Sequence, residues 1–109
     1  MQCNIRSENS IDILELSGEV DLNHSPALRK NILNSLKNDK PLLIDMSGVT
    51  YIDSSGIASL VEGFQTAKSA SLAYGLLSPS VTTLQVLKLT RLDKIFALHD
   101  TVEHFQAQV

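Results

Sequence analysis

The short run Leu42-Leu43-Ile44 is the feature that most constrains the fold of this chain. Three consecutive apolar residues between polar segments read as a strand covered on both faces, and such strands sit in sheets connected through helices. The flanking residues supply those helices. Upstream, Ser25-Pro26 is a helix start, with Ser as cap and Pro at the first helical position, where its missing N–H costs nothing. Leu28, Ile32 and Leu36 recur at spacing four, joined by Leu33, until Asn38-Asp39-Lys40-Pro41 stops the helix. Downstream, Ile57, Leu60, Val61 and Phe64 share one helical face, and Ala67 and Ala70 extend it.

The rest of the chain follows the same alternation. Cys3 to Arg6 and Ile11 to Leu16 read as strands joined by polar Ser7-Glu8-Asn9-Ser10, a hairpin. Leu72 to Leu77 reads as another strand. Ser78-Pro79 repeats the helix start ahead of a buried stripe of Val81, Leu84, Val86 and Leu87. Ile95 to Leu98 is a last short strand, and Asp100-Thr101-Val102-Glu103 has the pattern of a capping box before a final helix. The order β-β-α-β-α-β-α-β-α predicts one α/β domain over residues 1–109, with a mixed β-sheet and helices mainly on one face. A chain of 109 residues buries only ~65% of its unfolded surface, enough for one core.

Charge and composition remove several function classes. Nine basic and twelve acidic residues give a net charge of −3, and no basic cluster exceeds Arg29-Lys30. Binding nucleic acid or anionic lipid needs concentrated Lys and Arg, so neither partner is expected. No apolar run reaches the ~18–20 residues that span a bilayer, and no signal pattern opens the sequence, so membrane insertion is not expected and a cytoplasmic location is. Cys3 is the sole cysteine and reads as a strand residue. His99 and His104 stand five apart, on different faces of a helix, so a shared metal site is not expected, nor any other metal site or cofactor. No nucleophile elbow, phosphate-binding glycine loop or paired catalytic carboxylates occur, so the chain does not read as an enzyme.

Two segments can carry chemistry. In Asp53-Ser54-Ser55-Gly56, two hydroxyls sit directly before the periodic helix. A helix start has unpaired N–H groups and a partial positive charge, so it suits a phosphate; a serine here can accept a phosphoryl group while the surface changes sharply. Gly56, lacking a Cβ, lets another backbone or an incoming kinase loop approach closely. The same residues also read as a plain N-cap, the commonest use of Asp and Ser at such a position. Gly18-Glu19-Val20-Asp21, a loop between a strand and the Ser25-Pro26 helix, reads either as solvated turn chemistry or as a neighbour of Ser54 that meets the same partner.

These segments, with Leu87-Lys88-Leu89-Thr90-Arg91-Leu92-Asp93-Lys94-Ile95-Phe96 downstream, resemble the STAS domain and, within it, bacterial anti-anti-sigma factors, over essentially the whole chain. The resemblance implies a partner-switching protein. Its unphosphorylated form binds an anti-sigma factor that is also an ATP-dependent serine kinase, and phosphorylation releases that partner. A metal-dependent serine/threonine phosphatase reverses the modification. Carried over by position, the acceptor is Ser54, and Asp21, Asp53, Ser54, Ser55 and Gly56 form the partner-binding set. Ile57-Ala58 replaces the family's frequent Leu-Gly, and Arg91 stands where Gly is frequent. The competing reading is a STAS subunit of a membrane lipid ABC transporter, whose similar turn need not meet a kinase; neighbouring genes distinguish the two.

Overall fold

A tight turn starts the sheet. Asn9 and Ser10 both take left-handed backbone (φ 50° and 68°), giving a two-residue hairpin turn whose twist matches that of its strands. The structure, a computed structural model describing residues 1–109, therefore opens with β1 (Gln2–Glu8) antiparallel to β2 (Ile11–Val20). Helix α1 (Ser25–Leu36) leads to β3 (Leu42–Ile52), and α2 (Ser54–Ser69) to β4 (Tyr74–Leu77). Helix α3 (Val81–Leu89) and a 3-10 turn (Leu92–Lys94) lead to β5 (Ala97–His99), and α4 (Val102–Gln106) follows. The five strands lie in the order β1-β2-β3-β4-β5, and every pair after the first is parallel. The predicted mixed α/β sheet and its element order are those observed.

Two apolar clusters cover the two faces. The larger joins Leu14, Leu16, Ile44, Met46 and Leu76 of the sheet to Leu28 and Ile32 of α1, Leu60 and Ala67 of α2 and Leu87 of α3. Phe64, Tyr74 and Phe96 meet within it at ring-centroid separations of 5.9 to 6.3 Å. The smaller cluster (Ile11, Ile13, Leu43, Leu77 and Phe105) lies under α4. Leu43 and Ile44 fall into different clusters, which is why their strand carries no polar alternation.

Buried Asp12 ties the hairpin and the end of α1 to the sheet. It accepts hydrogen bonds from Ser7 Oγ (2.7 Å), Ser35 Oγ (3.0 Å) and Asn38 Nδ2 (3.4 Å), with Lys40 Nζ 4.0 Å away. Burial pushes this carboxyl up, but the three hydrogen bonds and Lys40 outweigh it and hold it below its ordinary range.

Several element boundaries differ from the sequence reading, and bulges explain the main one. β2 runs on through Gly18-Glu19-Val20, and β3 through Met46 to Ile52, both expected to be loop or turn. The β2–β3 register slips between Glu15 and Ser17 and again between Gly18 and Glu19, each slip adding a residue to β3. Buried residues of β3 thus fall at Met46, Val49 and Ile52, a spacing of three that hides the strand period. Gly18 takes φ 81° at this irregularity. Among helix starts, Ser25 is not a cap but a buried first-turn residue; its N–H reaches the Asp21 carbonyl at 2.8 Å. Helix α3 is capped by Ser80 rather than Ser78, because Ser80 Oγ accepts from Thr83 N–H, and Val81 is left exposed. Helix α4 is capped by Thr101, which accepts from His104 N–H.

The packing predicts a contrast in stability. Ile44, fully buried, becomes a cavity in Ile44→Ala, and chemical denaturation is expected to show a loss of ~2–5 kcal/mol. Leu89, 86% exposed, is expected to change stability by no more than ~0.5 kcal/mol in Leu89→Ala.

Candidate functional site

The candidate site sits where β2 and β3 end together. Val20 pairs with Ile52, and Asp53 N–H donates to the Val20 carbonyl at 3.1 Å, so Asp21 and Asp53 leave the sheet side by side. The C-terminal ends of parallel strands are the usual place for function in α/β folds.

Asp53 is the N-cap of α2, with extended backbone (φ −100°, ψ −175°). Its Oδ1 accepts from Ser55 N–H (2.9 Å), Gly56 N–H (3.1 Å) and Ser55 Oγ (2.5 Å). The Ser55 hydroxyl is the main cause holding the Asp53 carboxyl below its usual range, against a smaller opposing effect of desolvation; the Gly56, Ser55 and Leu22 backbone N–H groups add to it. The helix start therefore already carries an anion. The free amides expected to receive a phosphate are largely taken, and Ser54 N–H alone finds no partner within the chain.

The two serines differ. Ser55 is half-buried and committed to Asp53, whereas Ser54 is exposed and its hydroxyl makes no hydrogen bond within the chain. The close approach expected at Gly56 is made within the chain, not by a kinase loop. Gly56 is buried, and a Cβ there would come within 2.6 Å of Ile52 Cγ1 and 2.9 Å of Val20 Cγ1. Its missing side chain lets α2 approach the strand ends, and this chain's own side chains fill the space.

Asp21 organises the neighbouring loop. Its carbonyl accepts from His24 and Ser25 N–H, its Oδ1 from Asn23 N–H at 3.0 Å, and His24 Nδ1 lies 2.7 Å from that oxygen. Leu22 (72% exposed) and Tyr51 (50% exposed) stand beside the two acidic positions. The sequence reading missed both; the available signal was an apolar residue placed directly after Asp21 and another two before Asp53. A cavity of about 350 Å³ between α1 and α2, lined by Arg29, Leu36, Glu62 and Thr66 among others, contains none of the predicted site residues.

The premise that separated the two histidines, helix-face spacing, does not hold. His99 ends β5 and His104 lies in the first turn of α4, so helix-face geometry does not apply, and their Nδ1 atoms approach to 2.6 Å. No group of three or more potential metal ligands occurs, and no helix is long and apolar enough to cross a membrane.

With this geometry in hand, comparison with known proteins places the fold. The chain belongs to the STAS domain family, whose model matches residues 2–105. It is 27% identical over 90 residues to the anti-sigma-B factor antagonist of Bacillus subtilis, covering 83% of this chain and 82% of that protein. A Thermotoga maritima crystal structure superposes with a TM-score of 0.90 at 23% identity, covering 98% of this chain and 93% of the other. The phosphorylated form of the Bacillus cell fate determinant SpoIIAA superposes with a TM-score of 0.76 at 17% identity, covering 98% of each chain.

The cap gives a testable pH dependence. Asp53→Ala is expected to lower Tm at neutral pH and speed hydrogen exchange at Ser55 and Gly56, whereas Asp53→Asn, which keeps an acceptor oxygen, loses less. Because the folded carboxyl is depressed, its contribution is full above the ordinary carboxylate range and fades as pH falls through the depressed value. Thermal melts of wild type and Asp53→Ala should therefore converge in strong acid.

Proposed function

We propose that this chain is an anti-sigma factor antagonist of the partner-switching kind, with Ser54 as its phosphorylation switch. The observation that carries this reading is the division of labour at the start of α2. Ser55 is locked to Asp53, and the exposed Ser54 hydroxyl is left for an incoming kinase. In the unphosphorylated state, Asp21, Asp53 and the Ser54–Ser55 turn, flanked by Leu22 and Tyr51, form the surface that binds an anti-sigma factor with serine kinase activity. Gly56 serves this surface from beneath by setting the height of the helix. A metal-dependent serine/threonine phosphatase restores the hydroxyl. The chain itself acts in the cytoplasm by binding, without catalysis of its own.

The charge arithmetic supports a switch by local repulsion. A phosphate on Ser54 brings ~1.5–2 negative charges. With Asp53 already on the helix amides, little internal neutralisation remains, so the new charge faces the partner. A tenfold loss of affinity needs only ~1.4 kcal/mol, within reach of one doubly charged group at an interface.

The named relatives support the reading at one remove: the B. subtilis protein is an anti-sigma-B factor antagonist, and SpoIIAA has been solved carrying phosphate. Incubation with the cognate kinase and ATP, followed by phosphopeptide mapping, is expected to place the phosphate on Ser54. Phosphate on Ser55 alone, or modification that persists in Ser54→Ala, rejects the assignment. Calorimetric titration should give Ser54→Ala the affinity of the unphosphorylated protein and the phosphorylated form at least tenfold weaker binding, with unchanged helical circular dichroism.

A further inference from the structure

Helix α4 is the only helical cover packed on the smaller apolar cluster, and its hold includes the contact between His99 and His104. His99 is 5% exposed, and its ring rests against Gly75 and Phe105. A Cβ at Gly75 would lie 2.9 Å from His99 Cδ2 and 3.1 Å from its Nε2, so the strand gives up a side chain to seat this imidazole. The Phe105 ring packs edge-on at a centroid distance of 5.2 Å. His104 is placed from the other side, by the Thr101 cap on its backbone N–H.

This geometry restricts where protons can go. Nδ1 atoms 2.6 Å apart need one N–H donor and one bare acceptor, so the contact holds one proton and repels a second. His99 Nε2 is buried with no partner. With the shared proton on His99 Nδ1, Nε2 stays a bare lone pair and no N–H is stranded. Protonating His99 fully, or placing a metal on its Nδ1, strands an N–H in the apolar pocket. Of the charged groups nearby, Asp100 on the connecting loop favours a charged His99, while His104 on α4 opposes it; exposed Glu103 shares the first turn of α4, and β4 contributes only Gly75 and Leu77 at this contact. Burial is the largest influence, and the balance keeps His99 below the ordinary histidine range.

We infer that the His99–His104 contact is a proton-sensitive latch that keeps α4 docked on the sheet at neutral pH and releases it in mild acid. Release uncovers Ile11, Ile13, Leu43 and Leu77. The sign follows from linkage: a histidine whose folded state resists protonation gives stability that is full above the unfolded pKa, ~6.5, and lost as pH falls below it. One excluded proton changes the opening equilibrium tenfold per pH unit in that window.

Hydrogen exchange on the full chain, corrected for intrinsic rates, tests this. Protection of the α4 amides is expected to fall at least tenfold between pH 7.5 and pH 5, and to stay below that of the central β3 amides at every pH, as opening of α4 alone requires. His99→Leu should abolish the pH dependence, and His104→Gln should reduce it. Wild-type protection in α4 that ignores pH, or a His99→Leu variant that keeps the wild-type profile, overturns the latch. Should His99→Leu undock α4 at every pH, ring titration of the wild type by NMR decides. Coupled curves, with one ring titrating well below 6.5, support the latch; two independent curves near 6.5 reject it.

Discussion

The parallel pairing of β2 with β3 is the contact on which the rest of the molecule depends. It runs from Asp12 opposite Leu42 to Val20 opposite Ile52, and both main apolar layers are anchored on it. At its lower end the buried Asp12 carboxylate gathers Ser7, Ser35 and Asn38, so the hairpin and α1 are fastened where the strands begin. At its upper end the bond from Asp53 N–H to the Val20 carbonyl fixes the two acidic loops relative to each other. The site thus sits on a shared strand end whose geometry the core determines. Such support allows a short turn to present a hydroxyl reproducibly.

Much of this was legible in the sequence because it rests on period and punctuation. Leu42 to Ile44, the stripes of α1 and α2, and the Asp53-Ser54-Ser55-Gly56 start gave the order of elements and the candidate acceptor. What stayed hidden depended on three-dimensional contact. The two bulges broke the alternation of β3, so its longer part, Met46 to Ile52, read as turn. Gly56 announced a close approach but not its direction, which is inward. His99 and His104 looked unrelated because helix spacing was applied to residues on different elements. Arg91 is a milder case. The family resemblance implies a frequent Gly at this position, and the structure gives Arg91 left-handed backbone (φ 62°), the conformation that favours glycine.

The two ends of α2's first turn divide their duties by solvent access. Asp53 and Ser55 satisfy each other and the backbone, and Ser59 carries the fastening deeper, donating toward the carbonyls of Ser55 and Ser25, each at 3.2 Å. This couples the start of α2 to the start of α1. A chemical change at the exposed Ser54 can thus occur on a framework whose own hydrogen bonds do not include that hydroxyl.

The consecutive strand order has a topological consequence. In doubly wound sheets the order reverses partway along, helices splay to opposite faces, and a crevice opens at the reversal that can enclose a nucleotide. Here β2 to β5 advance in one direction, with α1, α2 and α3 packed on one face and no reversal point. The strand ends consequently lack the crevice that such a reversal opens. The one cavity of the molecule lies instead on the helical side, between α1 and α2, so the ends of the parallel strands and the cavity are separate features of this domain.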